Sequence, residues 1–272
     1  MHRFRQIFTA NRVNVIGMIH VDALPGTPLY GGSVSRLIEK ASRDAEVYAR
    51  SNIDGICIEN MHDVPYVKSH ELRPETTAVM GRVCAEVKRL VGRRIACGVQ
   101  ILAGGNLQAL AVAQAADLQF IRAEGFVFGH VGDEGYHDSC AGKLLRYRRE
   151  LAADHVLIFT DVKKKHSSHA ITGDVSIEET AKAAEFFLSD GLIVTGSATG
   201  DPVKQSDLVG VKKSTSLPIL VGSGTNFENV RETSKNADAV IVGTHFKREG
   251  RWQNEVDGER VKRFMEHVVE IK

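Results

Sequence analysis

The stretch ILVGSGTNFENV, residues 219–230, runs a short apolar segment into Gly222-Ser223-Gly224 and then into residues that favour a helix start. A second junction of the same kind, ADAVIVGT at 237–244, ends in Gly243-Thr244 one strand-and-helix repeat further on. Glycine at such a junction lets the backbone approach a ligand with no Cβ between them. Free amides at a helix start favour an anion. A plain tight turn would use the same glycines, so the rest of the chain has to decide between the two.

Outward from this stretch the pattern repeats. Apolar runs occur at VNVIGMIHV (13–21), DGICIEN (54–60), RIACGVQIL (94–102), LQFIRAEGF (118–126), HVLIFTDVK (155–163) and GLIVTG (191–196). PILVGSG (218–224) and ADAVIVGT (237–244) complete the series. Such near-continuous apolar strands suit a parallel sheet buried on both faces. Helical segments lie between them, most clearly the last, where Val261, Phe264, Met265 and Val268 fall on one helical face. Ser176-x-x-Glu179 and Thr225-x-x-Glu228 have the form of capping boxes, and Asp201-Pro202 that of a helix start.

Eight strand-and-helix repeats predict an α/β protein, a (β/α)8 TIM barrel spanning 14–272 as one domain, behind an N-terminal extension of 1–13. The competing arrangement, an open doubly wound sheet, carries its Gly-rich turn early, whereas here such turns come last. In the barrel, Gly222, Ser223, Gly224, Gly243 and Thr244 follow the seventh and eighth strands, where barrels often hold a phosphate. Thr195 and Gly196, in TGSATG (195–200) after the sixth strand, extend that cradle.

Bulk composition restricts the partners. The 272 residues are 43% apolar and 25% charged, with a formal net charge of +1. That balance gives no global attraction for nucleic acid or an anionic membrane. No apolar run approaches the roughly 20 residues of a membrane helix. Cys57, Cys84, Cys97 and Cys140 form no C-x-x-C pair and read as reduced thiols of an intracellular protein. Residues 1–12 hold Arg3, Arg5 and Arg12 and no acid. A cytoplasmic protein is the expectation, and a mitochondrial targeting stub is the alternative.

Catalytic groups in this fold sit at the C-terminal ends of the strands. There the chain carries His20 and Asp22, Glu59 and Asn60, Gln100, Arg122 and Glu124, then Asp161, Lys163, Lys165 and His166. Glu59, Asp161, Lys163 and His166 are the expected proton-transfer or covalent groups. Alternation along a strand puts Asp161 and Lys163 on one face, as a pair. Lys164 is expected to be a solvated charge, and Arg122 and Glu124 to be free to pair with each other. His20, Asp22 and Glu59 together would suit a divalent metal, although no strong ligand motif is present.

Many of these residues lie in strings that resemble the BtpA/SgcQ family: GMIHVDALPGTPLYGG (17–32), FIRAEGFVFGH (120–130), DVKKKHSSHAI (161–171), LVGSGTNFENV (220–230) and VIVGTHFKREGRWQNEVDGERVKRFM (240–265). The likeness runs from residue 14 to near the end. It implies a TIM barrel akin to the ribulose-phosphate-binding barrels, with one relative associated with photosystem I biogenesis and no firmly assigned reaction. GVQILAGGN (98–106) departs from the family's N-V-L-R-N-D-like string at the third strand, which implies a different substrate.

The expectation is an enzyme acting on a small phosphorylated metabolite, a sugar phosphate or nucleotide-like molecule. The alternatives are a metal-dependent hydrolase using His20, Asp22 and Glu59, and a non-catalytic assembly factor marked by a wide apolar face, of which the sequence gives no sign. FVFGH (126–130) is expected either to bury in a second copy of the chain or to fold over the barrel mouth.

Overall fold

The computed structural model describes residues 3–9, 11–196 and 200–271. In chain order its strands are β1 Asn14–His20, β2 Gly55–Glu59, β3 Ala96–Gln100, β4 Phe120–Ala123, β5 His130–Gly132, β6 Gly135–His137, β7 Leu157–Val162, β8 Ser167–Ser168, β9 Gly191–Val194, β10 Ile219–Val221 and β11 Ala239–Val242. Eight of them, β1, β2, β3, β4, β7, β9, β10 and β11, close into a parallel barrel in that order, with β11 pairing back onto β1. The helices are α1 Val34–Arg50, α2 Pro74–Val91, α3 Asn106–Ala115, α4 Ala141–Glu150, α5 Ile177–Phe186, α6 Gln205–Ser214, α7 Val230–Thr233 and α8 Gly258–Glu270.

Strand alternation sorts the side chains. Inward positions Ile16, Met18, Cys57, Ala96, Phe120, Leu157, Phe159, Ile193, Leu220, Ala239 and Ile241 fill the barrel. Large residues need small neighbours there: a Cβ on Gly98 would lie 2.2 Å from the Phe120 ring. Outward positions such as Ile19, Ile58, Val99 and Val240 pack under the helices. On α8 the buried residues are Val261, Phe264, Met265 and Val268, the face legible in the sequence. Cys57 and Cys97 are buried small hydrophobes in strands.

The N-terminal segment belongs to this core. A 3-10 turn, Arg3–Gln6, caps the bottom of the barrel, opposite the strand ends that carry the polar residues. Phe4 and Phe8 are buried there against Phe120 and Phe159. The three arginines expected to mark a targeting stub each bind an aspartate at the foot of a strand. Arg3 pairs with Asp190, Arg5 with Asp238 and Arg12 with Asp54. Each aspartate also accepts the backbone N–H of a residue on the adjoining strand: Ile158, Ile219 and Val15 respectively. The basic stretch therefore has a structural use.

Two local expectations change. Thr225 does not cap a helix. Asn226 and Asn229 instead bond each other's backbone, and Asn229 Nδ2 donates to Gly224 O, so the chain loops for several residues before the short α7. Asp201-Pro202 precedes α6 without capping it, since the helix starts after Lys204. The Ser176–Glu179 capping box forms at α5. In FVFGH Phe126 is buried in the core of its own chain, and the segment continues into β5, which pairs with β6 and with β8 in a small antiparallel flap.

Phe4→Ala should destabilise the protein by about 3–5 kcal/mol through the cavity it leaves. Chemical denaturation measures this. A loss under 1 kcal/mol would mean that the segment only drapes over the barrel.

Candidate active site at the barrel mouth

The inward alternation that builds the core ends in a ring of polar groups. His20 closes β1, Glu59 β2 and Gln100 β3, while Arg122 lies on β4 and Asp161 on β7. Register places His20 beside Glu59 and Glu59 beside Gln100. Together with Glu124 and Lys165 these side chains line a cavity of about 540 Å³, the size of a small-molecule site.

Charge pairing divides the ring in two. Arg122 donates Nε and Nη2 to the two Asp161 carboxylate oxygens at 2.8 and 2.7 Å. Burial alone would lower the Arg122 pKa, but the Asp161 carboxylate outweighs it, so the guanidinium stays charged. Glu124 accepts from Lys164 Nζ at 3.2 Å and from the Gly104 amide at 2.9 Å. Burial pushes Glu124 up, yet these two donors win and hold it below the usual carboxylate range.

Among the described residues no such cation is bonded to Glu59. Burial raises its pKa, only partly offset by Arg122 and Lys165. Its neighbour is His20, whose Nε2 lies 3.8 Å from Glu59 Oε2. His20 Nδ1 lies 2.9 Å from Trp252 O. A carbonyl only accepts, so Nδ1 carries the proton and a neutral ring presents a bare Nε2 to the cavity. Burial, then Lys247, lowers the His20 pKa well below its ordinary value and keeps the ring neutral. A carboxyl biased toward its acid form beside a neutral imidazole is a proton donor and acceptor couple. Gln100 Oε1, buried, has no hydrogen-bond partner among the described residues and would meet a ligand donor.

The structure corrects several sequence expectations. Lys163 is not Asp161's partner. The strand ends at Val162, Lys163 takes the left-handed conformation at φ +46, and its Nζ donates to Thr172 O outside the mouth. Lys164 is buried in an ion pair rather than solvated, and Arg122 and Glu124 each find another partner. Asn60 serves the loops, bonding Leu102 N and Asp63 instead of facing the cavity. Asp22 turns outward to Lys40 in a surface groove, so His20, Asp22 and Glu59 do not converge. Among the described residues no three His, Cys, Asp or Glu side chains group to hold a metal ion. His166 lies at the cavity rim on the exposed side.

The wall next to His20 is built from the last two barrel loops. Gly222, Ser223, Gly224 and Thr225 follow β10, and Gly243, Thr244 and His245 follow β11. Gly222 is required by its neighbours, since a Cβ would stand 2.5 Å from Ile193 Cγ2. A Cβ on Gly243 would meet His20 only at ordinary contact distance, so this glycine leaves room instead. Thr225 Oγ1 is buried without a partner among the described residues. Thr195 does not line the cavity; its Oγ1 accepts the backbone N–H of Lys165 at 3.1 Å. Gly196 packs against the Asp201 backbone. The remainder of the expected cradle, 197–199, lies outside the described residues.

A family model described as the BtpA family matches residues 11–270. The chain belongs to the BtpA family. An uncharacterized mitochondrial protein of Caenorhabditis elegans is 47% identical, over 98% of this chain and 97% of its own. The photosystem I biogenesis protein BtpA of Synechocystis is 33% identical, over 94% of this chain and 88% of its own. Among solved structures, phosphoribosyl anthranilate isomerase from Thermus thermophilus superposes with a TM-score of 0.59 at 9% identity, covering 96% of this chain and 100% of that one. The neighbours are ribulose-phosphate-binding TIM barrels, and at this identity they speak to the fold alone.

Among the residues that line the mouth of this BtpA-family barrel without a strand-end signal in the sequence are Tyr66, Trp252 and Arg260. Arg260 stands in the first turn of α8 with Nε on His245 O at 2.6 Å, which leaves its remaining guanidinium donors beside the glycine loops. Trp252 and Tyr66 come from loops. No strand period marks them, although the lone Trp was a compositional signal.

Glu59→Gln should raise the thermal midpoint at neutral and mildly alkaline pH and have little effect near pH 4. The folded-state pKa of Glu59 is raised, so the wild type loses stability as pH rises from the ordinary carboxylate value toward the folded one. The neutral amide has no such loss. Equal midpoint differences at both pH values would contradict this.

Proposed function

We propose that this BtpA-family protein is an enzyme that binds a small phosphorylated metabolite, a sugar phosphate or nucleotide-like molecule, and moves a proton on it in an isomerase- or lyase-type reaction. The observation that carries this is the lining of the cavity. The loops after β10 and β11 and the start of α8 bring the glycines, the Thr225 hydroxyl, unpartnered among the described residues, and Arg260. The ends of β1, β2 and β3 bring the Glu59–His20 couple and the Gln100 oxygen, unpartnered among the described residues. Solved neighbours of the fold include one in complex with D-R5P, which supports a phosphorylated ligand as the class of molecule bound. Arg260 supplies a fixed cation that cannot be neutralised by deprotonation.

Phosphate anchoring explains why the polar groups are split. A dianion held at one wall fixes the other end of the molecule against Glu59 and His20, and such orientation lowers the barrier. Glu59, in its acid form, protonates an oxygen or carbon, and His20 Nε2 accepts a proton from the neighbouring position.

Inorganic phosphate and sugar phosphates should raise the thermal midpoint, by about 2.7 kcal/mol of added stability at a hundredfold excess over Kd. Arg260→Gln should leave the apo midpoint close to wild type and weaken that shift about tenfold in ligand concentration. No shift with any phosphorylated compound, or an unchanged shift in R260Q, would refute the anchor.

A second reading, self-association, has its own observation. Phe186, Phe187 and Leu188 stand together at the end of α5, with Phe186 79% and Leu188 67% exposed. Monomers rarely leave such large side chains together in water. This apolar spot lies toward the barrel bottom, away from the mouth, so contact there is compatible with catalysis. Sedimentation of the wild type against Phe186→Asp with Leu188→Asp should show a loss of mass in the double variant, and identical monomers would sink the idea.

A further inference from the structure

We propose that Lys165 is a reactive amine that condenses with the carbonyl of a phosphorylated aldehyde or ketone to form an imine in the barrel mouth. This rests on the reading of the mouth as a phosphate-anchored site and adds the chemistry of the group that phosphate would position.

The three consecutive lysines after β7 are not equivalent. Lys163 points out of the mouth to Thr172 O. Lys164 points in but is held by Glu124. Lys165 lines the cavity, and among the described residues no carboxylate lies within 4 Å of its Nζ. The loop backbone sets this arrangement. Lys163 and His166 both sit in the left-handed region, at φ +46 and +53. Side chains with a Cβ rarely adopt it, and strain of this kind gathers at functional sites. The Thr195 hydroxyl fixes the Lys165 backbone N–H from the next strand's end. The two strained residues thus bracket the lysines that turn inward.

The surroundings disfavour an ammonium here. Asp161, one of the carboxylates of the ring, is already engaged twice by Arg122. Arg122 remains a permanent cation in the same cavity. Burial first, and Arg122 second, draw the Lys165 pKa down from its ordinary value, with Glu59, Asp161 and Glu124 opposing. A neutral amine beside a fixed cation is the state that attacks carbonyl carbon.

The condensation balances as follows. The Lys165 Nζ lone pair forms a C–N bond to the carbonyl carbon, and the C=O π pair moves to oxygen. A proton passes from nitrogen to that oxygen, giving a carbinolamine. The Glu59 carboxyl donates its proton to the hydroxyl, the C–O bond breaks, and water leaves with a protonated imine behind it. Glu59, now a carboxylate, can take a proton from the adjacent carbon, and the C–H pair flows into the imine as an enamine. Alternatively it takes the proton of a β-hydroxyl, the bond between the α and β carbons breaks, its pair forms the enamine and the β carbon leaves as a carbonyl. Glu59 then returns its proton to the enamine carbon, which restores the imine. Addition of water along the reverse path frees the product and restores the amine and the acid. No oxidant, reductant or further co-reactant is needed.

The probe is pyridoxal 5′-phosphate, which joins an aldehyde to a phosphate. The full chain is incubated with it near neutral pH, reduced with borohydride, and the modified lysine located by peptide mass spectrometry. Lys165 should be modified before any other lysine, with an imine absorbance before reduction. Its labelling should be at least about tenfold faster than with pyridoxal lacking the phosphate. The labelling rate should rise with pH at a lower midpoint than that of surface lysines. Lys165→Arg, which keeps a long side chain but removes the nucleophilic amine and is checked for a cooperative thermal transition, should lose the absorbance.

Modification spread over surface lysines with Lys165 not preferred overturns the proposal, as does retention of the absorbance in K165R. The two layers separate cleanly. Preferred labelling of Lys165 by both aldehydes at equal rates, without competition from inorganic phosphate, keeps the amine and removes the anchor. Stabilisation by inorganic phosphate with an unreactive Lys165 keeps the anchor and removes the amine.

Discussion

The double hydrogen bond between Arg122 and Asp161 organises the barrel mouth. A charge taken from water must be paired or neutralised. Asp161 meets that requirement with Arg122, and Glu124 meets it with Lys164. Once those two pairs have formed, Glu59, His20 and Lys165 have no Lys, Arg, Asp or Glu ion pair among the described residues, apart from the contact of Glu59 with the neutral His20. Glu59 drifts toward its acid, His20 stays neutral, and Lys165 is pressed toward its free base. The reactive character of the mouth is thus a consequence of where the fixed charges were placed. Removing one member of a buried pair would strand the other, at about 3–5 kcal/mol, so these four residues tolerate little change.

The two ends of the barrel solve different problems. At the bottom, Phe4 and Phe8 close the interior, while aspartates before β2, β9 and β11 tie strand to strand and receive the N-terminal arginines. Each of these aspartates has both a guanidinium and a backbone N–H, which suits a face that must only be stable. At the top, the loops leave Gln100 Oε1 and Thr225 Oγ1 unpartnered among the described residues. Unpaired buried polar atoms cost stability. Their position beside the acid–base groups is where a ligand can supply the missing bonds. The flap of β5, β6 and β8 covers this end from the fourth and fifth barrel loops, and its Asp133 and Glu134 reach the cavity.

The same family includes a protein named for photosystem I biogenesis and uncharacterized proteins of a nematode and of archaea. Their shared frame extends over nearly the whole chain, and the solved barrels resemble it in fold at about a tenth of identical residues. A conserved frame with a variable mouth is how this architecture supports many chemistries.

The fold was legible because it depends on periodicity. Alternating apolar strands, the α8 stripe and the order of glycine turns are all written along the chain, and each is local. The inward positions of His20, Glu59, Gln100, Arg122 and Asp161 followed from the same two-residue period. What failed did so where the period stopped. Lys163 was assigned inward by extending a strand one residue beyond its end, and a left-handed backbone turned it out. Lys165, the lysine that does line the cavity, could not be told from its neighbours, because the pairing that takes Lys164 away from solvent joins two different loops. Asp22 and Arg260 were decided by partners far off in sequence, on α1 and in the loop before it or at the barrel's last turn. The chain by itself determined which strand ends meet at one rim, since parallel closure allows no other result. Only the tertiary structure determined which charges there neutralise one another, because that depends on distances between residues that the sequence keeps apart.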